Sequence, residues 1–239
     1  MFFPLKDLNP TERFPFVTIG LIALNIVVFL YELSLGPRLG AFVAAFGMIP
    51  YEITHASDLI GYDTQIRIEH QAGPPFVHLT LLTSMFIHGG FLHILGNMLY
   101  LWIFGNNIED LLGPVKFIVF YLLCGLAAGA THIVMHPASV VPTVGASGAV
   151  AGVLGAYLII HPRARVLTLV FLGIFIRMMV LPAGVLLVFW FVIQMFSGFT
   201  SISTGVRGGG VAWFAHIGGF IAGVILVLLL TGGRRRRSR

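Results

Sequence analysis

Charge is what this sequence has least of. Asp, Glu, Lys and Arg together make up 10% of its 239 residues, against about 25% in an ordinary soluble domain. With 57% hydrophobic residues and a mean hydropathy of +0.96, a water-soluble globule is excluded and a membrane protein is indicated. Cysteine is nearly missing: Cys124 stands alone in an apolar run, so no intramolecular disulfide can form. Acids are missing from the places an ion pathway would need them. Asp7, Glu12, Glu32, Glu52, Asp58, Asp63, Glu69, Glu109 and Asp110 all fall in tails, loops or the ends of apolar runs, which argues against a transporter or channel. A His-Glu-x-x-His zinc pattern is absent as well, since the nearest stretch, "HIVMH" at 132–136, has no glutamate. Neither a metal nor another cofactor is expected. No internal repeat is visible, and no soluble domain is expected at either end.

What is present is a series of apolar runs, and a bilayer needs about 20 such residues per helix. Six spans are expected, at 16–35, 91–108, 115–135, 147–160, 180–196 and 211–230. The fourth is short and glycine-rich, so it is expected to begin inside the bilayer. The first follows mixed charge (Lys6, Asp7, Glu12, Arg13) and has no convincing cleavage site after it, so it reads as a span and not as a signal peptide. Between the spans, 36–83 forms a long outer loop, broken by "AGPPF", that should fold against the membrane. The eleven-residue run "VLTLVFLGIFI" between Arg163 and Arg177 is too short to cross and predicts a hairpin or interfacial turn, and "SGFTSISTGVRGGG" at 197–210 has the composition of a flexible cap.

Basic residues set the orientation, because cytoplasmic loops are enriched in Lys and Arg. With the N-terminus inside, Lys6, Arg13, Lys116, Arg163, Arg165, Arg177, Arg234, Arg235, Arg236, Arg237 and Arg239 are cytoplasmic, and only Arg38, Arg67 and Arg207 are outside. Both termini are therefore expected in the cytoplasm. The expected organisation is a cytoplasmic tail at 1–15, a six-helix domain at 16–230 that includes the 36–83 loop, and a basic cytoplasmic tail at 231–239. The closing "RRRRSR" reads as a topology anchor for anionic lipid in preference to a nucleic-acid patch.

In this topology polar side chains from three spans meet in the outer leaflet. Ser147 opens the fourth span within "TVGASGAVAGVLGAY" at 143–157, and His216 lies about 7 Å below the start of the sixth. His93 and Asn97, four residues apart, share one face of the second. Polar groups in hydrocarbon are costly and mark function or an interior partner. Packing alone would explain a serine among small residues. Yet Gly148 and Gly152 beside Ser147, and Gly219 and Gly223 on the face of His216, would let the two helices approach closely enough for serine to reach imidazole. Serine is a weak nucleophile that needs a base, and histidine can act as one near neutral pH. With no acid at that depth, a Ser-His dyad is expected in place of a triad. The candidate donors for a tetrahedral oxyanion are His93, Asn97 and the backbone N–H of Ser147.

The stretches "HGGFLHILGNMLYLWIFGNNIEDLLG" (88–113), "GASGAVAGVLGAY" (145–157) and "AHIGGFIAG" (215–223) resemble the rhomboid intramembrane serine proteases, in the order that family has them. The resemblance implies a six-helix bundle with Ser147 and His216 as catalytic dyad and His93 and Asn97 around the oxyanion. It implies membrane-anchored protein substrates, typically with a single span, cut near the outer end after a small residue, at an active site opening to the non-cytoplasmic side. It also implies that the fifth span and the 197–210 loop serve substrate access. Two positions depart from patterns seen in some members. There is no Trp-Arg pair in the first outer loop, the tryptophans being Trp102, Trp190 and Trp213, and Ala151 stands where some members stack a Tyr on the histidine.

Other hydrolase classes fit less well. The lipase-type Gly-x-Ser-x-Gly fails because position 149 is Ala, and no pair of Asp lies within spans. The remaining alternative is a rhomboid-like pseudoenzyme that binds membrane proteins without cutting them. Such a protein is expected to have lost the Ser or the His, and this chain retains both.

Overall fold

The computed structural model describes residues 2–64, 68–172, 175–204 and 211–232. Arg67, Arg207, the last part of the expected cap loop (205–210) and the tail arginines lie outside the described residues. The chain opens with strand β1 (Phe2–Asp7) and helix α1 (Phe16–Ser34). The outer segment follows, with α2 (Leu39–Phe46), α3 (Pro50–His55), the hairpin strands β2 (Gly61–Asp63) and β3 (Ile68–His70), and the short α4 (Thr80–Thr83). Next come α5 (Phe91–Tyr100), a π turn at Leu101–Gly105, α6 (Asn106–Leu112), α7 (Pro114–Met135) and α8 (Ser147–Ile160). Strands β4 (Arg165–Leu172) and β5 (Phe175–Pro182) lead into α9 (Ala183–Thr204) and α10 (Trp213–Thr231).

Four helices are long and apolar enough to cross a membrane: Phe16–Ser34, Pro114–Met135, Ala183–Ser201 and Trp213–Thr231. A fifth crossing is available if Val77–Phe86 and Phe91–Leu112, bent by 81° at their junction, count as one. Helix α8 has 14 residues, about 21 Å of rise, which is less than the hydrocarbon thickness of about 30 Å. Every residue from 148 to 157 is buried, as expected for a helix that is apolar all round and enclosed by others. Around it lie α7, α9, α10 and the α5–α6 segment, with Phe104, Phe117, Phe120, Tyr121 and Tyr157 fully buried between them.

The expectation of an all-α architecture needs a correction. Strands β1, β4 and β5 form a three-stranded sheet at one end of the bundle, all pairs antiparallel, with Phe2 opposite Val170 and Arg165 opposite Pro182. The hairpin expected between Arg163 and Arg177 is there, but it runs on to Pro182, so the fifth helix starts at Ala183 and not at 180. On β4 the buried positions are Val166, Thr168 and Val170, the two-residue period of a strand with one face on a core. The tail at 1–15 is therefore partly built into the fold. Likewise, the last part of the fifth helix occupies 197–204, where a flexible cap was expected.

Two carboxylates from α6 anchor the N-terminal segment. Glu109 accepts the backbone N–H groups of Val17 (2.9 Å) and Thr18 (2.8 Å) and the Thr18 hydroxyl (2.7 Å), so it caps the start of α1 from another helix and satisfies donors that have no partner within α1. Asp110 accepts the N–H of Arg13 at 3.1 Å. Asp7 accepts hydrogen bonds from Tyr157 Oη and Asn107 Nδ2, both at 2.6 Å, which ties β1 to α8 and α6. Burial lifts the Asp7 carboxyl above its ordinary range, against the opposing effect of these hydrogen bonds.

At the opposite end the 36–83 segment, together with Ser84, grips the loop before α8. Met48 and Thr143 exchange both backbone hydrogen bonds, at 3.0 and 2.8 Å, Tyr51 N–H donates to Ser139 O at 3.0 Å, and Gly145 N–H donates to Ser84 O at 2.8 Å. The approach to Ser147 is thus held by strand-like pairing with chain about 60 to 95 residues earlier.

Candidate active site

Ser147 is the first residue of α8, directly after a loop whose Ser139, Thr143 and Gly145 are held by backbone hydrogen bonds to earlier chain. Position 145 carries a positive φ of +124°, which a residue with a Cβ adopts only with strain. That conformation turns the chain so that Ser147 faces α10. There the Ser147 Oγ lies 2.8 Å from Nε2 of His216.

Close backbone packing makes that distance available. A methyl group on Gly219 would collide with the carbonyl oxygen of Gly148, and one on Gly223 with that of Gly152. On its other side Gly148 faces Ala128, and Gly152 faces Cys124, of α7. All four glycines singled out from the sequence therefore lie in the contacts that join α8 to α10 and α7. With only hydrogens at these positions, the backbones of the helices are in direct contact, the close approach that small residues permit.

The other imidazole nitrogen is also engaged. His216 Nδ1 lies 2.7 Å from Oε1 of Gln194 on α9. The amide oxygen can only accept, so Nδ1 carries the hydrogen and Nε2 presents its lone pair to the Ser147 hydroxyl. Trp190, one turn before Gln194, places its ring 5.9 Å from the His216 ring, and Trp213 flanks it edge-on at 6.3 Å. Ala151 leaves the imidazole without an aromatic partner from α8, and α9 supplies both the ring and the amide. Gln194 is 5% exposed. The sequence reading does not single it out, although a lone amide within "LLVFWFVIQMF" was the available signal, because a polar side chain within a span needs an interior partner.

His93 and Asn97 meet the same loop from α5. A Cβ at position 145 would lie 2.7 Å from His93 Nε2 and 3.7 Å from Asn97 Nδ2, so both nitrogens border the turn that delivers Ser147. His93 Nδ1 accepts the N–H of Gly89 at 3.3 Å, which assigns the ring hydrogen to Nε2, on the Gly145 side. Asn97 Nδ2 is buried and has no hydrogen-bond partner among the described residues. A buried donor without an acceptor is costly in a resting fold, and here it borders the turn two residues before the serine. The first backbone N–H groups of α8 are also free of intrahelical partners. Beside Ser147 opens a small cleft walled by Met85, Gly125, Ala128, Gly129 and Ala215.

Among the described residues no group of three or more His, Cys, Asp or Glu is placed to hold a metal ion. Within "HIVMH" the rings of His132 and His136 lie 4.9 Å apart. A polar pair of serine and histidine enclosed by apolar helices defines an integral, multi-pass membrane protein with a hydrolase-like constellation.

Comparison with known proteins agrees with that class. The rhomboid domain model matches residues 76–233, which takes in every residue of the site. The mitochondrial rhomboid protein 1 of Saccharomyces cerevisiae is 31% identical over 152 residues, covering 62% of this chain and 40% of the yeast protein. Rhomboid protease GluP of Bacillus subtilis is 31% identical over 143 residues, 60% of this chain and 24% of GluP. The mitochondrial RHOMBOID-like protein 12 of Arabidopsis thaliana is 30% identical over 174 residues, 66% of this chain and 48% of that protein. The chain thus spans less than half the length of these curated relatives. It belongs to the rhomboid family.

Proposed function

We propose that this protein is an intramembrane serine endopeptidase that hydrolyses peptide bonds of membrane-anchored proteins through a Ser147–His216 dyad. The observation that carries the reading is the 2.8 Å contact between Ser147 Oγ and His216 Nε2, with the ring tautomer fixed so that Nε2 can accept a proton. In the first step the Ser147 Oγ attacks the substrate carbonyl carbon while its proton passes to Nε2. The carbonyl oxygen takes up the negative charge, and His93 Nε2–H, the Asn97 amide and the Ser147 N–H are the donors positioned to receive it. Collapse returns the proton from Nε2 to the leaving amine and leaves an acyl group on Ser147. A water molecule, deprotonated by the same nitrogen, then releases the acid.

The narrowness of the cleft beside Ser147, closed in by Met85 and Ala128, favours a substrate with a small side chain before the cleaved bond. For orientation, the support is the eleven-to-three division of basic residues. The sheet end gathers Lys6, Arg165 and Arg177 and is assigned to the cytoplasm together with both termini. Ser147 sits toward the other end, so the site opens to the non-cytoplasmic side near the outer end of a substrate's single span. In this arrangement residues 16–230 form one domain crossing the bilayer six times, with α8 as the shortened fourth crossing.

The test is reconstitution with a single-span substrate, together with labelling by a serine-directed fluorophosphonate. Wild-type protein is expected to cleave and to be modified at Ser147, Ser147→Ala and His216→Ala to lose cleavage, and zinc chelators to have no effect. Substantial proteolysis by purified Ser147→Ala would overturn the dyad. A folded wild-type protein that binds such substrates but neither cleaves nor labels would instead be a binding module.

A further inference from the structure

The ring of His216 is met from the side by α9, whose Gln194 reaches Nδ1. We propose that Gln194 of α9 is a positioning residue, holding His216 in the Nδ1–H tautomer and so making the reactivity of Ser147 depend on how α9 is docked. The inference rests on the dyad reading above.

Three observations carry it. The Gln194 side chain is nearly sealed from solvent, at 5% exposure, and its Oε1 is 2.7 Å from His216 Nδ1, so its polar end is committed to the ring. The same helix face is fitted to α10 by Trp190 and Phe191, whose rings lie 6.1 and 4.3 Å from that of Phe220. Docking of α9 therefore sets the amide against the imidazole. Finally, α8 offers the ring nothing except Ser147 itself, since Ala151 is apolar and too short to stack.

An amide in this position has a distinct chemical consequence. It fixes the tautomer as a carboxylate would, but it supplies a dipole and no negative charge to the imidazolium formed during attack. The titratable groups that sense His216 from the packed helices are His132 of α7 and His93 of α5, neither of which is an acid. Without Gln194, the Nδ1–H is a buried donor with no acceptor, and the competing tautomer, which points N–H at Ser147 and cannot accept its proton, is no longer disfavoured.

The experiment compares Gln194→Leu and Gln194→Glu with wild-type protein, in the same membranes, by the rate of fluorophosphonate labelling at Ser147, by kcat and KM on a single-span substrate, and by the pH profile of both. Gln194→Leu is expected to slow labelling and kcat by about 10- to 100-fold, the cost of one orphaned buried donor, with KM near the wild-type value because Gln194 touches the base and not the substrate. Gln194→Glu is expected to restore the labelling rate at alkaline pH and to move the acid limb of the profile upward, since a carboxylate holds a proton on the ring to higher pH. Labelling of Gln194→Leu at the wild-type rate would overturn the proposal. So would an acid limb unmoved in Gln194→Glu, which decides the matter alone if the leucine variant does not fold. Failure of the dyad reading is separately visible, because wild-type protein would then fail to label at Ser147 before any Gln194 variant is compared.

Discussion

Replacing Gly219 with alanine tests how the site is assembled. The added methyl would sit on the carbonyl oxygen of Gly148, well inside the 3.0 Å that real Cβ contacts keep, and 3.3 Å from the Cβ of Ala128. Neither obstacle is a flexible side chain. Relief requires α10 to move from α8 by on the order of 1 Å, an overpacking that typically costs about 1–3 kcal/mol. The Ser147–His216 separation of 2.8 Å would then pass beyond hydrogen-bond reach, and a displacement of about 1 Å at a reacting pair is worth roughly 10²-fold in rate. Gly219→Ala should therefore lose about two orders of magnitude in cleavage of a single-span substrate and melt at lower temperature. The control is Gly20→Ala on α1, where an added Cβ meets nothing within 4 Å. It should melt no lower than wild type, because alanine is favoured over glycine in a helix by about 1 kcal/mol, and should cleave normally. Wild-type cleavage and melting in Gly219→Ala would refute the close-packing account.

Asn97→Ala should lower turnover by about 10²-fold without abolishing it, His93→Ala should be more severe, and both should keep near-normal substrate affinity; fully active but unstable variants would make these residues helix glue. Stability should also report on Asp7, whose carboxyl is lifted by burial above the ordinary aspartate range. A raised acid favours the fold below the unfolded pKa and loses that contribution as pH rises through the folded value. From about pH 4 upward, the wild-type melting temperature should therefore gain less, or fall more, than that of Asp7→Asn, and parallel curves would remove the effect. For topology, a reporter after Arg239 should read as cytoplasmic and a cysteine at position 201 should react with an impermeant reagent from outside; reversed accessibilities would overturn the orientation.

Much of this was readable from local sequence. The apolar runs locate α1, α7, α8 and α10 to within about two residues at each end, because a span in hydrocarbon must satisfy its backbone internally and so declares itself by length and composition. Ser147, His216, His93 and Asn97 are visible for the same reason, as polar groups in apolar runs, and the structure brings Ser147 and His216 into contact. The sheet was not. Strand β1 pairs with β4 across about 160 residues or more, its "FFPLKD" contains a proline and a bulge between Pro4 and Lys6, and no local period announces a partner that distant. The π turn at Leu101–Gly105 was hidden too, since the second run is apolar through it. Gln194 was missed for a different reason. An acid partner for the histidine would show as charge in an apolar run, whereas fixing a tautomer requires only an acceptor, which a neutral amide supplies.

The sheet also determines how α9 can move. The first two N–H groups of α9, at Ala183 and Gly184, donate to the carbonyls of Ala164 and Pro162, both at 2.8 Å, so the helix is fastened at its base to the turn below α8 and to β5. Gln194 lies eleven residues further along, about 16 Å up the axis. A helix fixed at its foot is a lever with its fulcrum at the sheet. A tilt of about 10° there carries Gln194 roughly 3 Å sideways over that length, more than its bond to His216 can stretch, while the base stays in place. A side opening between α9 and its neighbours wide enough to admit another chain would thus leave the imidazole briefly unguided, and the serine would regain its full strength only as the lever swings back.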